Sequence, residues 1–184
     1  MNLANRLTVL RILLVPVFIA ALLYYTEERR YFYWVAVGSF LLACITDGLD
    51  GYLARKMNQK TEFGSYLDPL ADKLLLLSGF LSLSLMHHLP EDMHIPAWVT
   101  IPIISRDVVI LAGSLTVFMA TGSLKAQPLF IGKLTTVAQM ATLLLSLVMA
   151  PLPFRQVLYF FVLGLTVWSG VLYIRMGGRL FQEA

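Results

Sequence analysis

Charge is scarce in this chain. Asp, Glu, Lys and Arg make up 14% of its 184 residues, against roughly 25% in a soluble domain. With 58% of the residues hydrophobic, that shortage excludes an ordinary soluble fold and reads as a membrane protein. Cysteine is nearly absent as well. Cys44 stands alone, so no internal disulfide can form, and its apolar surroundings read as a packed thiol. No basic tail long enough for nucleic acid is present, and the net charge of +3 reads as anchoring at a cytoplasmic membrane face. No tandem repeat or internal boundary appears, so residues 1–184 are expected to form a single transmembrane domain.

What the chain has instead is a series of apolar runs of spanning length. They predict an all-α, polytopic membrane protein with six transmembrane helices behind a short cytoplasmic N-terminal segment. The spans are expected at about Leu7–Tyr25, Tyr31–Arg55, Gly64–Leu89, Ile95–Thr121, Leu129–Ala150 and Phe154–Met176. The first run has the look of a signal peptide, but it continues to full spanning length and ends in aromatics, so it is read as an uncleaved helix. Arg6, Arg11, Arg55, Lys56, Lys60, Lys73, Lys125, Lys133, Arg175 and Arg179 fall on one side, against Arg29, Arg30 and Arg155 on the other. The excess marks the first side, with both termini, as cytoplasmic.

Between the second and third runs lies TDGLDGYLARKMNQKTEFGSYLDPLADK, Thr46 to Lys73. Asp47 and Asp50 are three apart and Asp68 and Asp72 four apart, so on helices each pair shares one face. A polar turn from Lys56 to Phe63 lets the helices fold back, and all four carboxylates can then converge. Carboxylates bordering hydrocarbon cost several kcal/mol each unless they find a partner. Oxygen ligands with no His nearby suit Mg²⁺ or Mn²⁺ rather than zinc, and four negative charges fit two divalent cations roughly 3.5–4 Å apart. Gly51, Ala54 and Gly64 leave room for a ligand or close backbone approach, and Arg55 adds a cation suited to phosphate.

Other polar residues interrupt the apolar runs. Asn5, Thr8 and Arg11 recur every three residues as a stripe on the first helix, read either as interfacial capping and snorkelling or as part of a ligand site. Arg106 and Asp107 are buried in apolar sequence in the fourth run, either as an internal pair or as a site facing a cavity. Lys133 opens the fifth run beside Gly132, Thr135, Thr136 and Gln139 and either snorkels or holds an anion. His87, His88 and His94 cluster with Glu91 and Asp92 at the opposite membrane face, where a solvated turn is expected rather than a metal site.

The pattern D-x-x-D-G-x-x-A-R-x(8)-G-x-x-x-D-x-x-x-D, matched by Asp47, Asp50, Gly51, Ala54, Arg55, Gly64, Asp68 and Asp72, resembles the signature of the CDP-alcohol phosphatidyltransferases. These are membrane enzymes that move a phosphatidyl group from a CDP-lipid to an alcohol and release CMP. The resemblance implies that Asp47, Asp50 and Asp68 bind two metal ions, with Asp72 as the base or a further ligand, and that Gly51, Ala54, Arg55 and Gly64 line the CDP-lipid site. The opening Asn5, Thr8 and Arg11, assigned to the same CDP-lipid site, resembles bacterial members. A homodimer in the bacterial inner membrane is implied too.

With no Ser-His or Cys-His arrangement near the hairpin, direct displacement is simpler than a covalent intermediate. Arg106 and Lys133 would make a basic pocket for an anionic acceptor. The opening Asn5, Thr8 and Arg11, together with Gly132, Lys133 and Gln139, resembles the bacterial phosphatidylglycerophosphate synthases, whose acceptor is glycerol 3-phosphate. Ser105-Arg106-Asp107 is closer to cardiolipin synthases of the same family, whose acceptor is phosphatidylglycerol. A reading from another class, a cation transporter using the intramembrane acids, leaves Gly51, Ala54 and Arg55 unexplained.

Overall fold

The computed structural model describes residues 3–56, 62–121, 130–148 and 154–182, with side chains described for 6–49, 70–114, 116, 130–148 and 154–176. All regular structure among them is helical. The helices are α1 (Leu3–Leu23), α2 (Tyr31–Lys56), α3 (Glu62–Leu85), α4 (Ala97–Thr121), α5 (Phe130–Leu147) and α6 (Arg155–Gln182). Five of them, all but α3, are long and apolar enough to cross a membrane, and the chain is an integral membrane protein. Asp68, Asp72 and Lys73 interrupt the first half of α3 and leave its continuous apolar run to begin at Leu74.

One compact unit comprises Met1–Ile95 with Leu143–Ala150. Within it α1 packs against both α2 and α3. Phe18 of α1 meets Phe40 of α2 with ring centroids 5.7 Å apart, and Tyr25 meets Tyr33 at 6.4 Å. Ala21, Ala36 and Ala43 are buried among them, small residues that let helix backbones approach closely where lipid offers no hydrophobic drive for association. On α3 the row Ala71, Leu75, Phe80 and Leu83 is buried. Gly79 makes room for the side chain of Leu143, since a Cβ there would lie 2.8 Å from a Leu143 methyl.

The third helix ends at Leu85, four residues short of the expected Leu89. Pro90 disfavours helical backbone at the residue before it, and the chain turns instead through Leu89 N–H to Met86 O at 3.2 Å. His88 Nε2 lies 2.9 Å from the Leu22 carbonyl oxygen, so it satisfies one of the open carbonyls at the end of α1. His87 and His94 stack with centroids 6.1 Å apart. Ile95 N–H then returns to Leu83 O at 3.0 Å.

The second unit comprises Pro96–Thr142 with Pro151–Ala184. Pro96 opens α4, accepting from Val99 N–H at 2.9 Å, while Pro102 falls inside the helix. Trp98 packs edge-on to Tyr159 of α6 at 6.1 Å and against Phe160 at 5.4 Å. The sixth helix continues through Gly177 and Gly178 to Gln182, past the expected end at Met176.

Several hydroxyl side chains inside these apolar helices are satisfied along their own backbones. Thr46 donates to Ala43 O, Ser78 to Leu75 O, Thr142 to Ala138 O and Thr166 to Val162 O, at 2.7–2.9 Å. Where no water can serve as partner, such internal bonds remove most of the cost of a buried hydroxyl.

Candidate functional site

The two acid-bearing helices meet at a residue of the first. Arg11 of α1 is fully buried, and its Nη1 lies 3.0 Å from Asp47 Oδ1 of α2 while also pairing with Asp72 Oδ1 of α3. A buried guanidinium in an apolar helix must find counter-charge, and α1 can reach both acids because it packs against both helices. The carboxylates are less enclosed than the cation. Their side chains retain 31% (Asp47) and 28% (Asp72) exposure against 0% for Arg11, so the guanidinium floors the cluster and the acids remain open to a ligand.

Thr8, one turn before Arg11 on the same face, is buried as well. Cys44 lies one turn before Asp47 on α2 and is half-buried. Asp50 is on α2, three residues beyond Asp47, and Asp68 is on α3, four residues before Asp72. Their side chains lie outside the described residues, as do those of Asn5, Gly51, Ala54, Arg55 and Gly64 and the turn from residue 57 to 61. Among the described residues there is no group of three or more His, Cys, Asp or Glu around one point, a search that does not include Asp50 and Asp68. The donor set fits a hard divalent cation: two accessible carboxylates from different helices, each with a second acid within a turn of its own helix.

Within the second unit, Arg106 of α4 is buried and multiply engaged. Its Nη1 donates to Asp107 Oδ1 at 2.6 Å and its Nη2 to Ser169 Oγ of α6. Its guanidinium carbon stands 5.6 Å from the centroid of the Tyr173 ring. Among the described residues the buried Nε has no hydrogen-bond partner. The Tyr173 ring reaches Gly132 of α5, where an added Cβ would lie 2.7 Å from its hydroxyl. Lys133, the next residue, is exposed. Arg106 and Lys133 are thus linked through Tyr173 and Gly132. Thr135 and Gln139 continue the buried polar row of α5, with Thr135 Oγ1 3.3 Å from the Leu165 carbonyl of α6.

Sequence reasoning missed the link from Arg11 to the Asp pairs, reading Arg11 either as interfacial snorkelling or as part of the CDP-lipid site. The available signal was a lone Arg in an apolar run, which requires an acid elsewhere. It also missed Ser169 and Tyr173 as partners of Arg106. Their signal was a polar and an aromatic residue four apart, and so on one face, in a predominantly apolar helix.

Residues 1–168 match the profile of the CDP-alcohol phosphatidyltransferase family. A Pseudomonas fluorescens protein named CDP-diacylglycerol--glycerol-3-phosphate 3-phosphatidyltransferase is 39% identical over 95% of this chain and 89% of its own length. A Bacillus subtilis (strain 168) protein of the same name is 35% identical over 96% and 91%. A Mycobacterium tuberculosis (strain H37Rv) protein named probable phosphatidylglycerophosphate synthase is 45% identical over 58% of this chain. The match covers about half the length of that relative, 48%.

Proposed function

The chain belongs to the CDP-alcohol phosphatidyltransferase family, and from that premise we propose that it transfers the phosphatidyl group of CDP-diacylglycerol to sn-glycerol 3-phosphate, giving phosphatidylglycerophosphate and CMP. The observation that carries this reading is the pairing of Arg11 with both Asp47 and Asp72, which draws the two halves of the acidic motif to one point. The names of the relatives aligned over nearly the whole chain support the acceptor.

Asp47, Asp50 and Asp68 are assigned to two divalent cations, Mg²⁺ or Mn²⁺. The chemistry a bound pair supplies is neutralisation of the diphosphate as CMP departs. Asp72 takes the proton of the attacking hydroxyl while the new P–O bond forms and the bond to CMP breaks. Its partial exposure supports that role. Asn5, Thr8, Arg11, Gly51, Ala54, Arg55 and Gly64 are assigned to the CDP-lipid by their match to the family pattern. Arg106 and Lys133 are assigned to the phosphate of the acceptor, supported by the buried Nε of Arg106, which has no partner among the described residues.

Residues 1–184 are read as one catalytic domain spanning the membrane six times, α3 included. Both termini and the acidic hairpin then face the cytoplasm of a bacterial inner membrane, a reading supported by the Lys and Arg excess on the hairpin side. A homodimer is carried over from the family in the same way.

The test is CMP release from purified protein given CDP-diacylglycerol, Mg²⁺ and one acceptor at a time. Release with glycerol 3-phosphate well above that with phosphatidylglycerol, inositol or serine is expected. Preference for phosphatidylglycerol makes the protein a cardiolipin synthase, and no release with any acceptor favours the transporter.

A further inference from the structure

Arg106 is a flexible side chain held in one pose by three groups. Asp107 takes Nη1, Ser169 takes Nη2, and the Tyr173 ring stands 5.6 Å from the guanidinium carbon. The first two set the direction of the terminal nitrogens. The aromatic face adds an attraction to the whole flat cation rather than to one N–H, and so helps hold the plane of the guanidinium.

The ring is itself confined. A Cβ on Gly132 would lie 2.7 Å from the Tyr173 hydroxyl, closer than a Cβ comes to another atom in a settled structure, and a tight 3.0 Å from its Cε2. Glycine is therefore the residue that lets Tyr173 reach this position, and any side chain at 132 displaces the ring. The atoms in the way belong to the outer end of Tyr173, so the ring, and not the helix backbone, would yield. What the pose leaves over is the buried Nε of Arg106, without a partner among the described residues. An N–H held there in low dielectric is a strong donor to an anion and a costly group to leave unmet.

We infer that Tyr173, seated by Gly132, is a positioning residue that fixes the guanidinium plane of Arg106 for the phosphate of the acceptor. The inference rests on the assignment of Arg106 to the acceptor, and it adds a requirement which that assignment lacks: an aromatic face at 173 and no side chain at 132. Asp107 offsets much of the formal charge of Arg106, so orientation of the Nε–H, more than charge, must supply the recognition.

The experiment measures KM for glycerol 3-phosphate and for CDP-diacylglycerol, with kcat, in Arg106→Gln, Tyr173→Leu, Tyr173→Phe and Gly132→Ala. Loss of the aromatic face in Tyr173→Leu should raise the acceptor KM about threefold to thirtyfold, with the CDP-lipid KM and kcat within about twofold of wild type. Tyr173→Phe keeps the face and should stay near wild type, while Gly132→Ala should behave like Tyr173→Leu although both partners of the contact are still present. If Arg106→Gln raises the acceptor KM and Tyr173→Leu does not, the inference is overturned and the assignment of Arg106 stands. If neither variant moves it, both fall. Equal increases in the two KM values would make Tyr173 a packing residue and also overturn the inference. Should Tyr173→Leu not accumulate in membranes, Gly132→Ala carries the same decision.

Discussion

Arg11 Nη1 stands 3.0 Å from Asp47 Oδ1 and pairs at the same time with Asp72, so a single buried cation of α1 holds together acids from two other helices. Replacing it by Gln leaves two neighbouring carboxylates without that counter-charge. Breaking a buried pair costs roughly 3–5 kcal/mol, and the partial exposure of both acids puts this site at the lower end. Arg11→Gln should therefore lower the melting temperature in detergent, and more so in chelator than in Mg²⁺, because a cation on the carboxylates replaces the lost charge. Identical melting shifts in the two conditions would argue that no cation shares those acids.

Activity should require Mg²⁺ or Mn²⁺ and vanish on chelation. The acids of the motif are hard oxygen donors, and zinc, which prefers nitrogen and sulfur, should substitute poorly. The check is CMP release across a metal series after exhaustive chelation, and full turnover without added metal contradicts the assignment.

Neutral replacements of Arg106 or Lys133 should raise the acceptor KM and spare that of the CDP-lipid. A charge-assisted contact to phosphate is worth roughly 1.5–3 kcal/mol, on the order of tenfold to a hundredfold. Arg106, buried and held by Asp107 and Ser169, should show the larger effect, and exposed Lys133 the smaller and more salt-sensitive one. Steady-state kinetics with each substrate varied separately decide the matter. Unchanged KM values would make the pair structural.

Asp72→Asn keeps the size of the side chain and removes its basic oxygen. As the base, Asp72 should lose roughly 10²–10⁴ in kcat with metal affinity nearly preserved, whereas Asp47→Asn should weaken metal binding outright. Metal titrations of the two variants compare them directly, and equal loss of affinity makes Asp72 a ligand.

Much of this was legible along the chain, because the apolar runs are long enough to define helices and the Asp spacings are local to one helix each. The end of α3 was misjudged by four residues. Apolar Leu89 extends the run, but Pro90 stops the helix and His88 is drawn to the Leu22 carbonyl, a contact between residues 66 apart. The partnership of Arg11 with Asp47 and Asp72 needs α1 to lie against both α2 and α3, which no spacing along one helix discloses. Arg106 shows the same limit. Its neighbour Asp107 was visible in sequence, but Ser169 lies 63 residues away, and the meaning of Gly132 appears only with the Tyr173 ring against it.

The most direct test of the account follows the phosphorus itself. CDP-diacylglycerol labelled with ³²P on the lipid-side phosphate is given to the purified protein with Mg²⁺ and glycerol 3-phosphate, and the products are separated. Transfer as described puts the label into phosphatidylglycerophosphate, leaves CMP unlabelled, requires glycerol 3-phosphate, and is abolished by Asp47→Asn. Label appearing in phosphatidic acid irrespective of acceptor, or remaining wholly in CDP-diacylglycerol, would contradict it.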